Sequence, residues 1–267
     1  MTWLLQLWEA QATAEEATVM DTLGWRMKFG VLVPSTNTSV QPEYDSMRPI
    51  GITNHVRGFR IPNAPTRTDA EFLAQLENMR ATMVDAVDEL LTMDPGHIIL
   101  ATAAESAGGV SGAKLLREKL LAKSGGRVGV TLGADAILAA LHRYGNVRRI
   151  AVVTPYMPLG DEQAARFFSD CGFEVMRVHG LKCGSPVLIA HVTEVELRDA
   201  ISAVDGPDVD AVVQVGTNLP MARVAAAAEF WLDKPVVALN TATYWHALRE
   251  NGIPDKVQGF GRLLAEF

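Results

Sequence analysis

The sequence predicts an α/β protein built as two pseudo-symmetric domains, each a parallel sheet flanked by helices, with a cleft between them. Three observations carry this. From Lys28 onward, apolar runs of strand length alternate with longer helical patterns, and strictly alternating βα units imply parallel strands with helices on both faces. The segments "VGVTLGADAILAAL" (128–141) and "PVVALNTATYWHAL" (235–248) share one plan: a short apolar strand, a turn of small residues, and a helix ending Ala-Leu. "HIILATAAES" (97–106) and "AVVQVGTNLP" (211–220) form a second matched pair, both apolar strands ending in small or hydroxyl residues.

The elements follow in order. "FGVLVPSTNT" (29–38) reads as a strand and its loop. "TDAEFLAQLENMRATMVDAVDELLTM" (68–93) places Phe72, Leu73, Leu76, Met79, Met83, Val84, Val87 and Leu90 at a helical period with acids between them. It is a long amphipathic helix with Asp69 near its start. "HIILATAAESAGG" (97–109) is a strand and a small-residue loop, and "SGAKLLREKLLAKSGG" (111–126) is a helix closed by glycines. Strand then helix recurs in 127–145, 148–172, 211–233 and 234–252. Residues 1–26 form an N-terminal extension, residues 27–133 with 240–267 the first domain, and residues 134–239 the second.

Within the extension, "MTWLLQLWEA" is too short for a membrane span and lacks the basic start of a signal peptide. It reads as a short amphipathic helix appended to the fold, covering a neighbouring subunit, or as an artefact of the start site. Composition narrows the partners. A net charge of −7 with no basic run argues against nucleic acid. Two cysteines, Cys171 and Cys183, make no disulfide framework, so a cytoplasmic location is expected. Six scattered histidines form no metal-binding spacing. No glycine-rich phosphate loop is present, and no cofactor is expected.

"GVLVPSTNTSVQPEY", "RRIAVVTPYMPLGDEQAARFF" and "NTATYWHALRENGI" together resemble the aspartate/glutamate racemase superfamily, in its maleate isomerase and arylmalonate decarboxylase branch, over residues 27 to 265. The resemblance implies an active site in the interdomain cleft, a small carboxylate substrate, and a homo-oligomer. It also implies a pair of cysteines facing each other across the substrate. The loop "VGTNLPM" puts Thr217 at one of these positions, and "LATAAESAGG" puts Thr102 or Ala103 at the other. Cys171, in "FSDCGFE", and Cys183, in "GLKCGSP", lie outside both motifs and read as small buried or loop residues. A threonine hydroxyl needs an adjacent base to act as a nucleophile, and none is evident beside Thr217. Two-thiol racemisation and covalent isomerisation are therefore disfavoured.

The carboxylate-binding groups are better preserved. Asn37 and Thr38, the Tyr156 hydroxyl, the backbone amides after Gly216 and the Asn218 side chain can all donate to an anion; turn chemistry and capping are the plainer roles for an Asn-Thr pair. Glu105 sits among alanine, serine and glycines in the first cysteine loop. There a raised pKa suits a general acid or base, and a solvated loop glutamate is the plainer reading. Arg57 and Arg60, after the second strand, could clamp a carboxylate or cap a surface loop. His246 is expected to pack rather than react, and Asp161 and Glu162 to begin a helix. The expected catalytic set is Glu105, Thr217 and Tyr156. The expected binding set is Asn37, Thr38, Thr102, Ala103, Gly216 and Asn218. The expected reaction is isomerisation, proton transfer or decarboxylation beside a carboxylate. Two rivals remain: hydrolysis of an amide or ester with Glu105 and a water, and a carboxylate-binding protein without turnover. In a further variant, another subunit donates the missing group.

Overall fold

In a computed structural model, residues 21–103 and 108–267 are described. The first half runs β1 (Met27–Pro34), α1 (Val40–Met47), β2 (Ile52–Phe59), α2 (Asp69–Leu91), β3 (His97–Leu100), α3 (Gly109–Lys123), β4 (Gly129–Leu132) and α4 (Gly133–Tyr144). The second runs β5 (Arg149–Thr154), α5 (Pro158–Asp170), β6 (Glu174–Gly180), a 3-10 turn (Val187–His191), α6 (Glu194–Val204), β7 (Ala211–Gln214), α7 (Ala222–Leu232), β8 (Val236–Ala238) and α8 (Leu239–Glu250), before a short α9 (Arg262–Glu266).

Each half holds one four-stranded sheet, ordered β2-β1-β3-β4 and β6-β5-β7-β8. Every pairing is parallel. The orders are superimposable, so the internal echoes of the sequence are real equivalences: β3 with β7, and β4–α4 with β8–α8. Central strands β3 and β7 are buried along their whole length, which is why residues 98–100 and 211–213 read as apolar runs. Edge strand β6 is only half-buried, and its mixed sequence "EVMRVHG" gives no such signal.

The long helix α2 begins at Thr68, whose side chain accepts from the Glu71 amide while the Glu71 carboxylate accepts from the Thr68 amide. This reciprocal cap satisfies two of the donors a helix start leaves open; Thr193 and Glu196 repeat it at α6. The two halves are joined where α4 packs along α8. Small residues, Ala136 and Ala140 on α4 and Ala242 and Ala247 on α8, are all buried there, which lets the helices approach closely. One apolar cluster spans both sheets, with Leu100, Leu132 and Ile137 in the same core as Val213, Val215 and Leu239. Because α8 is central, it buries Asn240, Thr241 and Thr243 as well as its apolar residues. Of these, Asn240 connects the scaffold to the site through the Thr217 carbonyl. Among the described residues no helix is long and apolar enough to cross a membrane.

Candidate active site

The carboxyl ends of β1, β3, β5 and β7 converge on one cavity of about 100 Å³, with Asn37, Thr102, Tyr156 and Thr217 in its wall. A single water needs about 10–15 Å³ measured this way, so the space suits a small organic molecule. The helices α2 and α5 cover it with Phe72, Gln75, Leu76, Met79, Gly160 and Gln163, and the segment after β6 adds Cys183 and Ile189. No charged side chain is among the described lining residues.

The loop after β7 is held from several sides. Gln214, 1% exposed, donates from Nε2 to the carbonyls of Val215 (2.6 Å) and Gly216 (2.7 Å). A turn follows, closed by the Leu219 amide on the Gly216 carbonyl (3.2 Å). The amides of Thr217 and Asn218, its two central residues, make no hydrogen bond among the described residues, and both residues line the cavity. Two adjacent open N–H groups are a receptor for an oxyanion.

The Thr217 and Asn218 side chains are already committed. Thr217 Oγ1 donates to the Ala101 carbonyl (3.1 Å) and accepts from Asn37 Nδ2 (3.1 Å), knitting together the loops after β1, β3 and β7. Asn218 Nδ2 donates to the carbonyls of Thr36 (3.2 Å) and Pro186 (3.0 Å), while its Oδ1 accepts from the Thr38 amide (2.9 Å). The Asn37 Oδ1 caps α1 through the amides of Ser39 and Val40. At this loop, then, the anion-binding capacity resides in the backbone.

Gly216 adopts φ +96°, a region closed to most side chains. A Cβ there would sit 2.6 Å from the Pro155 ring. Gly216→Ala is expected to destabilise the fold by about 2–3 kcal/mol and to weaken small-carboxylate binding at least tenfold, checked by urea melts and NMR titration with succinate.

Of the residues expected from sequence, Asn37, Thr102, Ala103, Tyr156, Gly216, Thr217 and Asn218 come together on this cavity. Thr38 does not line it; its backbone holds Asn218 instead. Glu105 lies outside the described residues, two positions beyond Ala103. Arg57 lies within β2 rather than after it and pairs with Glu89, and Arg60 is exposed; neither lines the cavity. His246 stacks on Trp245 and faces Glu250 at 3.6 Å. Asp161 opens α5 and pairs with Thr154, whose hydroxyl also receives the Tyr156 amide (3.0 Å).

Three contributors escaped the sequence reading. Cys183 lines the cavity, but burial pushes its thiol up to about 11, so it stays protonated at neutral pH. Gln75, on the buried face of α2, was not distinguished from solvent-facing polar residues. Glu43 accepts from the Ala222 amide (2.9 Å) and from Asn240 Nδ2 (2.6 Å), and the same Asn240 nitrogen donates to the Thr217 carbonyl (2.8 Å). Burial raises the Glu43 carboxyl to about 7. Both Glu43 and Asn240 fall within the stretches that carry the family resemblance.

Two sheets of identical order, with four strand-end loops on a shared cavity, define a pseudo-symmetric α/β protein with its site between the halves. The arylmalonate decarboxylase family profile matches residues 29–264, and the chain belongs to that family. The maleate isomerase of Pseudomonas putida is 26% identical over 247 residues, covering 89% of this chain and 97% of its own. A Nocardia farcinica maleate cis-trans isomerase, solved as a cysteine-to-serine mutant with a covalently bound succinylcysteine intermediate, is 26% identical, with a TM-score of 0.79 over 90% of this chain and 99% of its own. A liganded arylmalonate decarboxylase mutant shares the fold, with a TM-score of 0.77 at 22% identity over 90% of this chain and 100% of its own. The chain is thus an enzyme of the isomerase and decarboxylase type. It lacks the usual cysteine pair: neither the loop after β3 nor that after β7 contains a cysteine.

Proposed function

We propose that the protein acts without a cofactor on a small carboxylate bound in this cavity, and rearranges bonds at the carbon beside the carboxylate by isomerisation, proton transfer or decarboxylation. The observation that carries this reading is the pair of amides, at Thr217 and Asn218, that make no hydrogen bond among the described residues and belong to residues lining a cavity without charged side chains among its described wall. Such amides stabilise a carboxylate or an enediolate, and the low-dielectric wall strengthens them. Tyr156 is assigned to the same anion from the second half. Thr217, with its own proton committed to Ala101, fixes the loop geometry in this scheme. Glu105, the carboxyl carried by the sequence between β3 and α3, is assigned the proton as general acid or base. A homo-oligomer in the cytoplasm completes the proposal.

The test follows small carboxylates and their amides by NMR in deuterium oxide. Expected is deuterium entering the carbon beside the carboxylate, cis-trans conversion, or loss of carbon dioxide, reduced 10²–10⁴-fold by Glu105→Gln. Amide or ester cleavage with none of these signals would transfer the protein to the hydrolases. Binding without turnover would make it a carboxylate-binding protein.

A further inference from the structure

The cavity has a second polar feature, on the helices that cover it. Gln75 is 7% exposed, and its Nε2 is buried with no hydrogen-bond partner; Gln163 Oε1 is likewise buried and unpartnered. Both residues line the cavity. The two helices meet where Phe72 of α2 approaches Gly160 of α5: a Cβ on Gly160 would lie 3.1 Å from the Phe72 ring. Gln75 follows Phe72 by three residues and Gln163 follows Gly160 by three, so each lies one turn further along the same face of its helix. Each orphaned amide atom costs stability, about 1–3 kcal/mol for a buried group, and buried polar groups are nearly always satisfied in folded proteins. Two such groups on one cavity call for a partner that none of the described residues supplies.

We propose that Gln75 and Gln163 form a neutral subsite for a primary carboxamide on the distal end of the substrate, so that the preferred ligand is a half-amide of a small dicarboxylic acid. This rests on the carboxylate reading for the other end. A carboxamide offers a carbonyl to an N–H donor and an NH₂ to a carbonyl acceptor, matching one Gln75 atom and one Gln163 atom. A second carboxylate would satisfy Gln75 Nε2 but face Gln163 Oε1 with no proton to give, and no cation among the described lining residues would offset its desolvation. A methyl group would leave both amides unpaired. Beside Gln75 on α2 the wall is apolar, made by Phe72, Leu76 and Met79.

The test measures binding of succinamate, succinate, butyrate and butyramide to the wild type, Gln75→Leu and Gln163→Leu by NMR titration. Succinamate is expected to bind wild type about tenfold or more tightly than succinate or butyrate. Either substitution is expected to bring succinamate to within about threefold of butyrate. Leucine is close to glutamine in volume and removes an orphaned amide, so thermal melts of both variants are expected at or above the wild-type midpoint. Succinate bound as tightly as succinamate, or a preference unmoved by both substitutions, overturns the subsite. Butyramide bound through Gln75 and Gln163 while butyrate does not bind would retain the subsite and refute the carboxylate reading. Failure of all four probes refutes both.

Discussion

Asn218→Asp is expected to cost about 3–4 kcal/mol of folding stability at pH 8 and to abolish small-carboxylate binding. The asparagine is 6% exposed and donates to two carbonyls, Thr36 on one half and Pro186 on the other. A carboxylate of the same shape keeps the Thr38 contact but sets an anionic oxygen against both carbonyls. It thereby replaces two favourable bonds with two repulsive ones in a poorly solvated place. Like charge at the loop would also repel the substrate anion. The sign of the pH response is fixed. The new carboxyl has a folded-state pKa above its unfolded value, so the defect is greatest above that pKa and shrinks as the pH falls. Urea midpoints at pH 8 and pH 5 measure it, and a midpoint within 0.5 kcal/mol of wild type at both would show that Asn218 does not hold the halves together.

Glu43→Gln should change the pH profile of stability rather than the fold. In the unfolded chain a glutamate titrates near 4.3, whereas burial raises Glu43 to about 7 in the native state. Its folded pKa is raised, so its contribution is most favourable below the unfolded pKa and is lost as the pH rises to 7. The difference of more than two units corresponds to about 3 kcal/mol. His97 acts oppositely. Buried against Thr131 at 2.8 Å, it is held down to about 4, so the unfolded state binds its proton first and stability rises with pH between about 4 and 6.5. In wild type the two slopes offset each other, and a nearly flat profile is expected from pH 4.5 to 6.5. Glutamine removes one slope. The variant should therefore gain about 3 kcal/mol relative to wild type between pH 4.3 and 8, read from urea melts at matched ionic strength. A constant difference across that range would mean that Glu43 titrates normally. Because Glu43 reaches Thr217 only through Asn240, it is a positioning residue, and its replacement should affect ligand affinity more strongly above pH 7 than below pH 5.

Much of this was legible in the chain itself. Period and alternation identified the β3 and β7 runs, the long α2 and the pseudo-repeat, because a strand buried on both faces is mostly apolar and an amphipathic helix shows its stripe. The strand-end loops were likewise visible as polar residues following apolar runs, so most of the expected site residues do line one cavity. What each residue does there was not visible. Asn218 looks like an anion donor in sequence, but three backbone groups distant in sequence already occupy its side chain. Gln75 is indistinguishable from the surface polar residues of α2 until α5 is laid against it. Glu43 and Asn240 are 197 positions apart, and no local pattern announces their contact. The sequence by itself determined the central strands, most of the helices, their alternating order and the family. Only the tertiary structure decided which polar atoms remain open to a ligand, because hydrogen-bond satisfaction is settled by partners that folding brings from elsewhere in the chain.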